Sequence, residues 1–168
     1  MRYFMSDPHF GHHNILKFSR TEFTDLNYHN EHLINQINKT VGQNDTLYIL
    51  GDIAFSSQYQ YLQRIVCNNI RIVLGNHDYP SKLKTMQELL PNARFGGVLE
   101  LKLNEHKCVL THVPVHTSQL EFRWKYNIHG HLHQYYIKDP RYINVSMEQL
   151  DDYKPISEQE IIKKFLTK

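Results

Sequence analysis

Five short segments carry most of the chemistry this chain could perform. In order they are Asp7-Pro8-His9, Gly51-Asp52, Gly75-Asn76-His77-Asp78, Thr111-His112 and Gly130-His131-Leu132-His133. Together they offer four imidazoles (His9, His112, His131, His133), two carboxylates (Asp7, Asp52) and one amide (Asn76) as metal ligands. A mixed nitrogen and oxygen set favours Mn, Fe, Co, Ni or Zn over Mg or Ca, which prefer oxygen alone. Seven ligands are too many for one open catalytic ion and suit two ions that share a carboxylate. Asp52 is the natural bridge, because the remaining ligands then divide evenly between the two positions. Two divalent ions and two aspartates leave a charge of about +2 for hydroxide and a phosphoryl group, and the neutral Asn76 preserves that balance. Such ions, about 3.5–4 Å apart, can generate hydroxide at neutral pH and hold phosphoryl oxygens during an in-line displacement.

Each segment follows a stretch that reads as a β-strand. Arg2–Met5 leads into Asp7, Thr46–Leu50 stops at Gly51-Asp52, and Arg71–Leu74 stops at Gly75-Asn76. Between them lie helical patterns. Leu33, Ile34, Ile37 and Val41 mark the first, with Asn27 or Asn30 as its cap; Tyr59, Leu62, Ile65 and Val66 mark the second. Leu83, Met86, Leu89 and Leu90 form a third, closed by Pro91. The β-α-β-α-β order implies parallel strands with helical crossovers, so ligands at the strand ends converge on one crevice. Side chains two apart in an extended segment point the same way, which would aim Asp7 with His9, and His131 with His133, at one site. Gly51, Gly75 and Gly130 stand where a tight turn or close backbone approach is useful.

The second half reads as strand-rich. Leu99, Leu101 and Leu103 alternate with charges and turn at Asn104-Glu105 into Lys107–Thr111, a hairpin pattern. Tyr126–His129, Gln134–Lys138 and Tyr142–Val145 are further strands. Ser157 with Glu160 is a capping-box pattern opening a last helix, with Ile161, Ile162, Phe165 and Leu166 on its apolar face. No repeat or linker interrupts the 168 residues, so a single α/β domain over 1–168 is expected.

Composition narrows the setting. The chain is 40% hydrophobic and 21% charged, as soluble globular proteins are. A net charge of +2 with dispersed Lys and Arg makes no electrostatic case for nucleic acid or a membrane surface. No apolar run reaches the roughly 18 residues that span a bilayer, and Met1–Ser6 is too short for a secretory signal. Cys67 and Cys108 lie in apolar stretches far apart and read as buried free thiols of a cytoplasmic protein.

The ordered segments resemble the calcineurin-like metallophosphoesterases, whose pattern is D-x-H, G-D, G-N-H-[DE], H and G-H-x-H. Every element is present between Asp7 and His133, and Ser6-Asp7-Pro8-His9-Phe10-Gly11-His12 looks like a small, capless bacterial and phage branch. The resemblance implies a four-layer α/β/β/α sandwich of two mixed sheets flanked by helices. It implies that Asp7, His9, Asp52 and His133 hold one ion, and Asp52, Asn76, His112 and His131 the other, with Mn favoured. His77 would be the acid beside the leaving group, with Asp78 orienting its ring. That role suits histidine, which can donate a proton near neutral pH.

Other residues have two readings. His12 either touches substrate or packs its loop; Arg123 either grips a phosphate bidentately or forms a surface ion pair. His116 and His129 match no family ligand and read as structural. Pocket shape depends on the loops Phe10–Tyr28, Phe55–Tyr59 and Pro114–Lys125. A short chain without a cap favours a phosphodiester, nucleotide-like substrate. A phosphomonoesterase, a nuclease and a non-catalytic scaffold on the same fold are the alternatives, with monomer and homodimer both open.

Overall fold

Two-residue alternation in three short strands explains the centre of the fold. β1 (Arg2–Met5), β2 (Thr46–Leu50) and β3 (Asn69–Val73) turn Met5, Leu47, Ile49, Ile70 and Ile72 to one face. There they meet Leu33, Ile34 and Ile37 of the long helix that crosses from β1 to β2, and Met86 of a later helix. Phe4, Leu50 and Val73 turn to the opposite face and join a second cluster with Leu103, Cys108, Leu110, Ile128 and Ile143. These strands are therefore buried on both sides, as parallel strands usually are.

The computed structural model describes residues 1–55 and 58–166, and for Leu166 only the backbone. Two residues of the expected Phe55–Tyr59 loop, 56 and 57, and the side chain of Leu166 lie outside the described residues. The helices between the strands are α1 (Ile15–Phe18), α2 (Leu26–Thr40) and α3 (Pro80–Leu89). A 3-10 helix, Gln58–Arg64, replaces the expected α-helix between β2 and β3. Its buried Tyr59 and Leu62 are three apart, the repeat of a 3-10 helix, and Val66 beyond it is exposed. The cap of α2 is Asp25, not Asn27 or Asn30. Asp25 is extended and accepts a hydrogen bond from the Tyr28 N–H at 2.7 Å, while Asn30 lies buried inside the helix.

The first sheet runs β4-β3-β2-β1-β9, where β4 is Arg94–Gly96. The second contains β5 (Leu99–Leu103), β6 (His106–Leu110), β7 (Tyr126–His129) and β8 (Tyr142–Asn144), in that order. β9 (Ile156–Ser157) closes the first sheet antiparallel to β1. Only β5–β6 is antiparallel in the second sheet, and it is the expected hairpin, turning at Asn104 with φ 50°. The last helix, α4 (Glu158–Ile161), starts with the expected reciprocal capping box between Ser157 and Glu160 and continues as a wider π turn, Ile162–Leu166.

The four layers are thus helices, sheet, sheet and an outer covering. That outer layer is thin: Val109 and Tyr142 are covered by Leu120 of the 3-10 turn Thr117–Leu120, with Val115, Trp124 and Ile137. No strand forms at Gln134–Lys138. The carbonyls of His133 and Tyr135 that a ladder would use accept instead from the Asn144 amide, at 3.1 and 2.9 Å. At the end where the ligand segments emerge, the sheets are stitched together. Ser6 pairs with Ser146 beyond β8, through Ser6 N–H to Val145 O at 2.8 Å and Met147 N–H to Ser6 O at 3.0 Å. No helix among the described residues is long and apolar enough to cross a membrane.

Candidate metal centre

All five chemical segments leave the carboxyl ends of strands: β1, β2 and β3 in one sheet, β6 and β7 in the other. Three of them do not leave as extended chain. Asp7 (φ 58°), His9 (49°), Asp52 (52°), His131 (69°) and His133 (49°) all lie in the left-handed region. That region is sparsely used by residues other than glycine, although Asp, Asn and His tolerate it best. Convergence of Asp7 with His9, and of His131 with His133, therefore comes from paired left-handed turns and not from the two-residue repeat of a strand. Neighbouring segments hold the turns in place: Asp7 N–H donates to Gly51 O at 3.0 Å, and His9 N–H to Asp52 O at 3.1 Å. Strained conformations of this kind concentrate at functional sites, at roughly 1–3 kcal/mol each.

Two glycines set the closeness of approach. Gly51 has φ +90°, and a Cβ there would lie 2.6 Å from both the Gly75 Cα and the His112 Nδ1. A Cβ on Gly130 would collide with Ser6 Oγ and Asp7 Oδ2. Each sheet's ligand loops are in this way packed backbone to side chain.

The side chains form two groups, Asp7-His9-His133 and Asp52-His112-His131, with donor atoms in each group within 4.8 Å of one another. Asn76 joins the second group, its Oδ1 2.9 Å from His112 Nε2. Asp52 faces both: its Oδ2 lies 3.4 Å from His112 Nε2 and 3.7 Å from His9 Nε2. The donor set is short of protein partners in the way a cation would satisfy. Asp7 Oδ1 and both ring nitrogens of His9 are buried without a hydrogen bond, an arrangement that is costly unless something else binds there. The residues present fit divalent metal.

Burial dominates the electrostatics. It pushes the His9 ring down to about 2, with the Arg20 charge adding to the effect, so this imidazole is neutral and available as a ligand. Burial raises the Asp7 carboxyl. It would raise Asp52 also, but the hydrogen bond and charge of His112, with the His77 N–H and His9, together hold Asp52 down to about 2. Burial lowers His131, with His112 acting in the same direction. His112 and His133 go the other way: burial lowers each, but Asp52, Asp7 and the Leu50 carbonyl together raise His112, and Glu148 with Asp7 raises His133.

A pH dependence of metal uptake follows. His112 and His133 are raised above the ordinary imidazole value in the metal-free protein, yet must be neutral to ligate. Below their raised values uptake therefore expels protons and weakens as pH falls; above them no histidine proton is released. Mn²⁺ affinity measured by calorimetry at about pH 6.5 and about pH 9 should be weaker at the lower value, where histidine protons compete with the ion. Equal affinity at both would contradict it.

Of the other residues singled out in the sequence, His77 lies at the mouth. Its side chain is 40% exposed, with Nε2 4.0 Å from Asp52 Oδ2. His12 is beside it, stacked on Phe55 at 3.9 Å between ring centroids and 5.3 Å from the His9 ring. Among the described residues Asp78 makes no hydrogen bond to the His77 ring. Its buried carboxylate accepts from the backbone N–H groups of Asp52 (2.8 Å), Ile53 (3.0 Å) and Gly75 (2.9 Å), locking two ligand loops together. Arg123 is not brought to the centre either; it pairs with Glu100 at 2.9 Å on the surface, over the Trp124 ring. His129 is fully buried, with Nδ1 2.9 Å from Gly130 O, and His116 caps the outer 3-10 turn.

Three residues at the centre escaped the sequence reading. Ser146 Oγ donates to Asp7 Oδ2 at 2.9 Å, Glu148 Oε1 lies 2.9 Å from His133 Nδ1, and Arg20 is wholly buried behind Asp7. A charged residue far from any ligand in sequence gives no local signal, and only the fold brings these to the site.

Residues 3–146 match the family model of the calcineurin-like phosphoesterase superfamily domain. An uncharacterized protein of Methanocaldococcus jannaschii is 30% identical over 173 residues, covering 96% of this chain and 89% of the relative. The gene 66 protein of Mycobacterium phage D29 is 26% identical over 186 residues, covering 93% and 92%. The crystal structure of a protein of unknown function from Aquifex aeolicus superimposes with a TM-score of 0.75 at 25% identity, covering 97% of this chain and 98% of that one.

Proposed function

The chain belongs to the calcineurin-like phosphoesterase superfamily, and from that premise we propose that it is a dinuclear, metal-dependent phosphodiesterase acting on a small, nucleotide-type ester. The observation that carries the two-ion reading is the position of Asp52 Oδ2, which faces one imidazole from each group, at 3.4 and 3.7 Å. Asp7, His9, Asp52 and His133 would hold one ion, and Asp52, Asn76, His112 and His131 the other; Mn is favoured, with Fe, Co, Ni and Zn in the same class. Such a pair supplies activated water and positive charge for the phosphoryl oxygens. The protein's own groups do the rest. The left-handed turns fix the donor atoms, Asp52 keeps its negative charge, and His77 Nε2 stands at the open mouth, placed to give a proton to the departing oxygen.

Preference for a diester rests on what faces the mouth. A monoester dianion is best gripped by a bidentate arginine, and Arg123 is committed to Glu100. Mn²⁺-loaded protein is expected to hydrolyse bis(p-nitrophenyl) phosphate with kcat/KM at least about tenfold above p-nitrophenyl phosphate. Equal or greater monoesterase activity would replace the diester reading with the monoester one. A panel of mono-, di- and cyclic nucleotides then locates the substrate class.

The His77 assignment has its own test. His77→Ala should lower kcat by about 10²–10⁴-fold on nucleoside or alkyl esters, whose leaving oxygen needs a proton. With p-nitrophenolate as leaving group the same variant should lose far less. A uniform loss on both substrates would remove the acid role.

A further inference from the structure

Arg20 is fully buried, although it follows the four-residue helix α1 in a loop of ordinary polar composition. Its guanidinium reaches both ends of one ligand group. Nη2 donates to the Asp7 carbonyl at 2.5 Å and Nη1 to the Pro8 carbonyl at 2.9 Å, so it clamps the turn that presents Asp7 and His9. Nη1 also lies 2.9 Å from His29 Nε2, and Nε donates to Glu148 Oε1 at 3.0 Å. That same Oε1 is the partner of His133 Nδ1 at 2.9 Å. A carboxylate only accepts, so Nδ1 carries the hydrogen and Nε2 is left free for the centre. The imidazole's tautomer and direction are thus set from behind, by a residue that touches no other candidate ligand.

His112 of the second group has its own acceptor. Its Nδ1 lies 2.7 Å from the Leu50 carbonyl, which also accepts from Ser6 Oγ at 2.5 Å, and the His131 N–H donates to Asp7 Oδ2 at 2.9 Å; among the described residues no ligand of this group makes a hydrogen bond to Arg20 or Glu148. We infer that Arg20 and Glu148 are positioning residues for one ion only, the one at Asp7, His9 and His133, and that the affinity of the other position is independent of them. The inference rests on the two-ion reading given above. Partners behind a ligating histidine commonly change metal affinity by about 10–100-fold.

The test is stepwise Mn²⁺ binding to the full chain, by calorimetry and by metal content after desalting, with no activity readout. Glu148→Ala should weaken one of two ions by about 10–100-fold and leave the other within about threefold. Glu148→Gln should restore binding. Its oxygen can still accept from His133 and Arg20, and its amide can occupy the place of Glu148 Oε2, which has no partner. Adding Asn76→Ala to Glu148→Ala should weaken both ions, whereas adding His133→Ala should deepen the loss at the ion already weakened and leave the other as it was, because both changes act on the same position. If Glu148→Ala does not fold, Arg20→Lys carries the test; an ammonium cannot span Asp7 O, Pro8 O and Glu148 together, so the same single-ion loss is expected. Two ions bound by the wild type and equally by Glu148→Ala, or an equal loss at both positions, would overturn the inference alone. A wild-type protein that holds fewer than two ions would overturn the two-ion reading and this inference with it.

Discussion

Asp52→Asn is expected to cut turnover by at least about 10³-fold, about 4 kcal/mol of transition-state stabilisation, and to loosen both ions together. The geometry fixes how the amide must sit. Asp52 Oδ1 accepts the His77 backbone N–H at 2.9 Å, so the amide oxygen stays there. The NH₂ then replaces Oδ2, the atom that faces His112 Nε2 at 3.4 Å and His9 Nε2 at 3.7 Å. A donor now points where both cations would bind, and the centre carries about one more positive charge than before. No rotation of the amide relieves this, because the alternative puts two donors against each other at His77. Metal content after desalting, measured beside kcat, checks the result. A variant that still holds two ions tightly would show that Asp52 is not the bridge.

The ligands were legible from their order along the chain, since Gly-Asp or Gly-Asn at a strand end is by itself an ordinary turn signal. His-x-His after Gly130, Asp before Pro8 and Gly51 before Asp52 each break a run of apolar strand residues, and the order of five such breaks narrows the chemistry. What the spacing misstates is how they converge. Two-residue alternation would aim Asp7 and His9 together, but both have positive φ, and their common direction comes from a tight turn that no periodicity encodes. Arg20 and Glu148 stayed invisible for a different reason. The partners of Arg20 are 9 residues away or farther and His133 is 15 from Glu148, so neither lies within a local pattern.

The same distinction runs through the fold. β1, β2 and β3 are strands whose two faces are both largely buried or half-buried, whereas in β5 Leu99, Leu101 and Leu103 alternate with the exposed Glu100 and Lys102. β4 and β9 have three and two residues, too few to show a period, and exist only because a neighbour offers free backbone groups. Gln134–Lys138 shows the reverse case. Its apolar and aromatic residues read as a strand, yet the Asn144 side chain takes the Tyr135 carbonyl and that of His133 just before the segment, and Tyr135 and Tyr136 remain 69% exposed. Local propensity yields wherever a side chain claims the backbone first.

Asp78→Ala should lower metal-free stability by about 2–6 kcal/mol, the sum expected from the buried N–H groups of Asp52 and Ile53 left without an acceptor at about 1–3 kcal/mol each, with the part-buried Gly75 N–H adding less. In a chain of this size that is a fall in Tm of roughly 5–25 °C. The donors are the backbone N–H groups of Asp52, Ile53 and Gly75, so the carboxylate ties the β2 exit to the β3 exit with no cation beside it. Burial pushes this carboxyl up, and the Asp52 charge acts with it, while the bonds from Gly75, Ile53 and Asp52 pull it down. Asp78→Asn should also lose stability, since its NH₂ must face either Ile53 N–H or the Asp52 and Gly75 pair. Thermal melts of the metal-free and Mn²⁺-loaded forms check both variants. The discriminating comparison is with His77→Ala, which removes an exposed ring and should leave the metal-free Tm nearly unchanged while activity falls on esters with poor leaving groups. If instead Asp78→Ala keeps its Tm and reproduces the leaving-group dependence of His77→Ala, Asp78 acts through the His77 ring after all, and its bonds to the backbone are secondary.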